Sequence, residues 1–120
     1  MSERDWRIFR EDHNIFHKGG RAPNPIRNWK ESHLPEYLMD ALNVMDYKIP
    51  SPIQMQAIPL GRACRDMIGL APTGSGKSAA FLIPLICYID KLPRVQGDIA
   101  ADGPYGLIMA PSRELASQIH

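Results

Sequence analysis

Ala71-Pro72-Thr73-Gly74-Ser75-Gly76-Lys77-Ser78 constrains this 120-residue chain more tightly than any other stretch. A small residue, four spacers and Gly-Lys-Ser form the phosphate-binding loop pattern, which works only between a strand and a helix. Gly74 and Gly76 let the backbone curl so that successive N–H groups converge on phosphate oxygens. The helix that follows brings its positive N-terminal end to the same place. Lys77 is placed to reach β- and γ-phosphates as a point charge, and the Ser78 hydroxyl to ligate Mg²⁺. Ala71 stands where the strict pattern has Gly. The flanks fit the unit. Asp66-Met67-Ile68-Gly69-Leu70-Ala71 is a short apolar run that suits a buried parallel strand, and 79–89 is apolar and helix-compatible.

The rest of the chain extends this into an α/β order. Leu34, Leu38, Leu42 and Met45 recur at helical spacing, with Ser32 as a candidate N-cap ahead of Pro35. Ser51, Pro52 and Gln54 read as cap, first helical residue and capping-box partner of a second helix ending near Pro59 or Leu60. Residues 94–103 read as a polar loop, 105–110 as a second strand, and Ser112 as the start of another helix. Helix, helix, β, α, β, α predicts a right-handed parallel unit. Residues 1–28, rich in charge and broken by Gly19-Gly20 and Pro23-Asn24-Pro25, read as an extended arm or linker. Two strands do not cover a parallel sheet on both faces. The expectation is therefore the N-terminal part of a larger α/β domain.

Composition excludes little. Net charge is +1, which neither favours nor opposes nucleic acid, since a local patch is independent of the total. Cys64 and Cys87 lack metal-like spacing and read as ordinary reduced residues. His13 and His17 are four apart without a further ligand cluster, so they do not make a metal site. Neither a secretory leader nor a bilayer-length apolar run is present, so a soluble, intracellular protein is expected.

Three segments in order resemble the DEAD-box family of ATP-dependent RNA helicases. Tyr47-Lys48-Ile49-Pro50-Ser51-Pro52-Ile53-Gln54, followed by Ile58-Pro59, is similar to the family's Q motif. Residues 71–78 are similar to its motif I, and Ala110-Pro111-Ser112-Arg113-Glu114-Leu115-Ala116-Ser117-Gln118-Ile119 to its motif Ia. The resemblance covers 29–120 and implies an incomplete first RecA-like ATP-binding domain with a parallel sheet, preceded by an arm over 1–28. It implies ATP and Mg²⁺ as ligands: Gln54 on the adenine edge, Tyr47 stacked on the base, Trp29 as the upstream aromatic, Ala71, Pro72, Thr73, Gly74, Ser75, Gly76, Lys77 and Ser78 around the phosphates, Lys77 in catalysis and Ser78 on the metal. Pro111, Ser112 and Arg113 would meet RNA phosphates.

Asp46 stands where the family usually has Gly, and Ser78 and Ser112 where it usually has Thr. Ile8-Phe9-Arg10-Glu11-Asp12, Lys18-Gly19-Gly20, 23–29 and the 94–103 insert resemble a spliceosomal branch of the family. That branch implies pre-mRNA splicing, RNA and spliceosomal protein partners, and the nucleus. The Asp-Glu-Ala-Asp motif, the Ser-Ala-Thr motif and the second RecA-like domain do not occur in these residues. A nucleotide-binding half-site, inactive alone, is therefore expected. Two other classes remain open from the residues: another P-loop ATPase or kinase, and a non-catalytic truncated product or interaction segment.

Overall fold

A computed structural model describes residues 1–120, and its framework is helical. Six α-helices follow in order: α1 (Glu3–Asp12), α2 (Glu36–Val44), α3 (Pro52–Arg62), α4 (Lys77–Asp90), α5 (Asp98–Ala101) and α6 (Arg113–Ile119), with a 3₁₀ turn over Trp29–Ser32. The core joins Ile15, Ile26 and Trp29 to Leu34, Leu38 and Leu42 of the α2 region, Met55 and Ile58 of α3, and Ile83 and Cys87 of α4. Ile58 is its most enclosed side chain, 1% exposed.

The two expected strands are not strands. No backbone–backbone hydrogen bond involves residues 66–71 or 105–110, and a strand exists only through a ladder to a neighbour. Both segments still show the period of two that half-buried strands have. Met67 and Gly69 face α3, reaching the Gly61 position and Ile53, while Ile68 and Leu70 are 91% and 89% exposed. Gly106 sits against Leu85 and Ile89 of α4, while Leu107 and Met109 point outward, 78% and 84% exposed. Consistent with this open face, the radius of gyration is 15.8 Å, against about 14 Å for a compact chain of this length.

The N-terminal segment also differs from an extended arm. Ser2 and Asp5 form a reciprocal capping box, with Ser2 N–H donating to Asp5 Oδ2 at 2.7 Å and Asp5 N–H to Ser2 Oγ at 3.3 Å. Phe9 packs against the core, and Trp6 meets it edge-on at 5.8 Å between ring centroids. Charge content hid an amphipathic face. Within 94–103 the polar loop contains the single turn α5, and the Tyr105 hydroxyl closes it by donating to Pro93 O at 2.6 Å. Ser32 does not cap α2, which begins after Pro35; its hydroxyl donates back to Trp29 O inside the 3₁₀ turn.

Helices α3 and α4 lie against each other and each contains a proline. Pro59 has no N–H for the Met55 carbonyl four residues back. Ile26 N–H takes that carbonyl at 2.9 Å, which pins the N-terminal segment to α3. Gly61 allows the close α3–α4 approach: a Cβ there would lie 2.6 Å from Pro84 Cβ.

Helices α1, α2 and α3 end alike. The N–H groups of Ile15, Tyr47 and Arg65 reach back to Arg10, Leu42 and Leu60 carbonyls, and the residue before each is left-handed. Those residues are Asn14, Asp46 and Cys64, at φ 53°, 58° and 55°, in a position that usually takes Gly. Asp46 thus holds a left-handed turn of the kind Gly usually makes. No helix is long and apolar enough to cross a membrane.

Candidate nucleotide site

The loop over 71–76 leads directly into α4, whose first residue is Lys77. Gly74 and Gly76 have φ of 81° and 84°, a region L side chains rarely adopt. Open space surrounds the Gly74 position, with nothing within 4 Å of a Cβ built there. Gly76 is crowded instead: a Cβ would fall 2.3 Å from Gln54 Nε2 and 3.1 Å from Ser51 Oγ.

That crowding identifies the central contact. Ser51 and Pro52 start α3 as the sequence predicts, and Gln54 folds back so that its Oε1 accepts from Ser51 N–H at 2.9 Å. Its Nε2 donates to Gly76 O at 3.1 Å, across 22 residues. Gln54 is 4% exposed. The capping bond and the contact to the 71–76 loop therefore meet in one side chain. An amide oxygen has two lone pairs and an amide nitrogen two hydrogens, so one acceptor and one donor position remain after both bonds. That remaining pair matches the N6 amino group and N7 of adenine.

Lys77 is exposed, and its Nζ donates to Ala71 O at 2.6 Å, spanning the mouth of its own loop. Trading a neutral carbonyl for phosphate oxygens would replace a neutral acceptor with a charged, stronger one. Ser78 and Thr73 are exposed, whereas the hydroxyls of Ser75 and Ser51 are buried without a partner. Buried unpaired hydroxyls are uncommon, and two beside one glycine loop suit a polar ligand. The exposed Ser78 hydroxyl is a hard oxygen donor of the kind Mg²⁺ takes. No group of three or more His, Cys, Asp or Glu side chains gathers to hold a metal. His13 Nδ1 lies 2.9 Å from Phe9 O.

Tyr47 follows the α2 terminus and is 38% exposed. Trp29 is placed otherwise. It is 5% exposed within the core and its Nε1 has no partner. Pro111, Ser112 and Arg113 are exposed where α6 begins. Ser112 Oγ accepts from Leu115 N–H at 3.2 Å as the helix cap, which leaves its own O–H free to donate. Gln56 is not singled out by its residue type. A Gln within the apolar run Ile53, Met55, Ala57 and Ile58 was the available signal for Gln56.

Known proteins place this arrangement. The DEAD/DEAH box helicase family model matches residues 51–120. The pre-mRNA-splicing ATP-dependent RNA helicase prp28 of Aspergillus niger is 59% identical over 99% of the chain, and the probable ATP-dependent RNA helicase DDX23 of Homo sapiens 57% over 99%. The chain spans 15% of each of these two relatives. Among solved structures, the RNA-helicase Prp28 from Chaetomium thermophilum bound to ADP matches 99% of the chain with a TM-score of 0.88 at 53% identity. The yeast DEAD-box splicing factor Prp28 matches with a TM-score of 0.87 at 42% identity, and the chain covers 28% of each solved chain.

Proposed function

This chain belongs to the DEAD/DEAH box helicase family, and we propose that it supplies the adenine- and phosphate-binding part of an ATP-dependent RNA helicase acting in pre-mRNA splicing. The observation that carries this is the Gln54 Nε2 to Gly76 O bond, which joins a base-reading amide to a phosphate loop. Similarity to relatives named as splicing helicases supports the process and, with it, the nucleus, RNA and spliceosomal proteins as partners.

In this reading residues 29–120 belong to the first RecA-like domain, and 66–71 and 105–110 are strand positions of its parallel sheet. Gln54 pairs with the adenine edge and Tyr47 covers the base. The backbone N–H groups of residues 73–78 and the α4 N-terminus hold the phosphates. Lys77 leaves Ala71 O to neutralise β- and γ-phosphate charge, and Ser78 offers its hydroxyl to Mg²⁺. Mg²⁺, when bound, neutralises charge on the phosphates. Pro111, Ser112 and Arg113 form an exposed edge for RNA phosphates.

The test uses the protein carrying this chain at its natural length. Lys77→Ala should sharply lower RNA-stimulated ATP turnover. Gln54→Ala should erode preference for ATP over GTP by about 1–3 kcal/mol, the cost of leaving buried polar partners unmet. Unchanged turnover in the first variant, or equal use of both nucleotides by the wild type, would overturn the reading.

A further inference from the structure

We propose that Arg10 and Gln56 are positioning residues of the nucleotide site, fixing through α3 where Gln54 presents its amide. The proposal rests on the adenine reading of Gln54 and adds to it a part of the chain outside the recognised motifs.

The geometry is a closed triangle. Arg10 Nε donates to Gln56 Oε1 at 3.0 Å, Gln56 Nε2 donates to Pro23 O at 2.9 Å, and Arg10 Nη2 donates to Pro23 O at 3.3 Å. These bonds span 46, 33 and 13 residues, so they join α1, the 23–26 segment and α3 into one body. Gln56 is 6% exposed, and both atoms of its amide are engaged. Arg10 makes no ion pair with a carboxylate. Its charge is directed at two neutral oxygens, an arrangement that holds position rather than balancing charge.

Gln54 and Gln56 are two residues apart, about 200° around a helix, and so lie on opposite sides of it. Gln54 faces Gly76 and Gln56 faces Arg10 and Pro23. Between them the Met55 carbonyl, released by Pro59, is held by Ile26 N–H at 2.9 Å. Of three consecutive residues of α3, Gln54 is thus tied to the phosphate loop, and Met55 and Gln56 to the N-terminal segment. Removing the outer tie frees the first turns of α3 to rotate and shift, and the Gln54 amide moves with them. Lys77 is bonded to Ala71 O and not to that tie, and the loop backbone meets α3 through the single Gln54–Gly76 bond. The loss should therefore fall on base recognition more than on phosphate binding.

Calorimetric titration of ADP and of GDP against the natural-length protein tests this. Arg10→Met keeps the aliphatic stem and removes the donors; Gln56→Leu removes the other partner. Each should weaken ADP about fivefold, the worth of one net hydrogen bond, while changing GDP little. Arg10→Lys, which keeps charge with a single point donor, should restore part of the ADP affinity. Arg7→Met, on the exposed side of the same helix, should change neither nucleotide. In a Gln54→Ala background Arg10→Met should no longer alter the ADP-to-GDP ratio, because the residue it positions is gone. Equal losses for ADP and GDP, or an effect that persists without Gln54, would overturn the proposal by making the triangle a general brace. If Gln54→Ala itself leaves the ratio unchanged, the adenine reading fails instead, so the two failures are separable.

Discussion

Replacing Gly61 with Ala isolates one contact on which the α3–α4 pair depends. Gly61 lies inside α3 with an ordinary helical backbone, so only space is at issue. The added Cβ would stand 2.6 Å from Pro84 Cβ and 2.7 Å from Pro84 Cγ. Carbon atoms settle at about 3.5–4.0 Å, so the shortfall is roughly 1 Å. The proline ring has no rotamer through which to withdraw, and the helices must separate. Overpacking of this kind costs about 1–3 kcal/mol, whereas Gly→Ala in a helix interior gains about 1 kcal/mol. The expected net result is a loss of about 1 kcal/mol. Pro84→Gly removes both opposing ring atoms, so the double variant should recover the helical gain. Urea unfolding followed by tryptophan emission measures the four corners of this cycle. If Gly61→Ala stabilises by about 1 kcal/mol and the two changes simply add, the steric argument is wrong. Because Gly76 caps α4, the same separation should stretch the Gln54–Gly76 bond and lower adenine preference in parallel.

Asp46→Gly should stabilise the chain by up to about 1 kcal/mol, since φ is 58° there and glycine adopts that region without the penalty of a side chain; a thermal midpoint that falls would contradict this. Gly76→Ala should abolish nucleotide binding more completely than Gly74→Ala, because both are left-handed but only Gly76 faces a side chain within 4 Å; equal titration curves would count against the distinction. Glu31 is held below the usual carboxylate range, first by the Arg27 side-chain hydrogen bond. Its folded pKa is depressed, so its small surface contribution is present above the ordinary glutamate pKa and fades as pH falls through the lowered one. Wild type and Glu31→Gln should therefore differ in stability at neutral pH and converge in acid, as unfolding curves across pH would reveal.

What the sequence disclosed depended on how local each signal was. The starts of α3, α4 and α6 are written in adjacent residues: Ser51-Pro52, Gly76-Lys77 and Ser112. The Gln54 capping bond is legible because its partner, Ser51, lies three residues away. The apolar runs at 66–71 and 105–110 were read as strands from composition and alternation, and the alternation is present. Strand identity, however, resides in hydrogen bonds to another segment, which no window of sequence contains. Helix α1 is hidden in the sequence because mixed charges outnumber its two half-buried aromatic residues, Trp6 and Phe9. Trp29 was assigned by position in a pattern, while its burial follows from the distant residues around it. Arg10 and Gln56 meet across 46 residues, and residue type alone could not pair them.

The unladdered segments also bear on the order in which the chain acquires its shape. Helices form quickly from near neighbours, whereas sheet pairing waits for distant segments. Here the α3 and α4 surfaces fix which side chains of 66–71 and 105–110 face inward. A neighbour arriving later therefore meets a preset register, since a slip of one residue would turn Ile68 or Leu107 into the helices. The same preset edges are open templates while they wait. At roughly 5–20 residues per second of synthesis, the first segment stands exposed for seconds before the second leaves the ribosome.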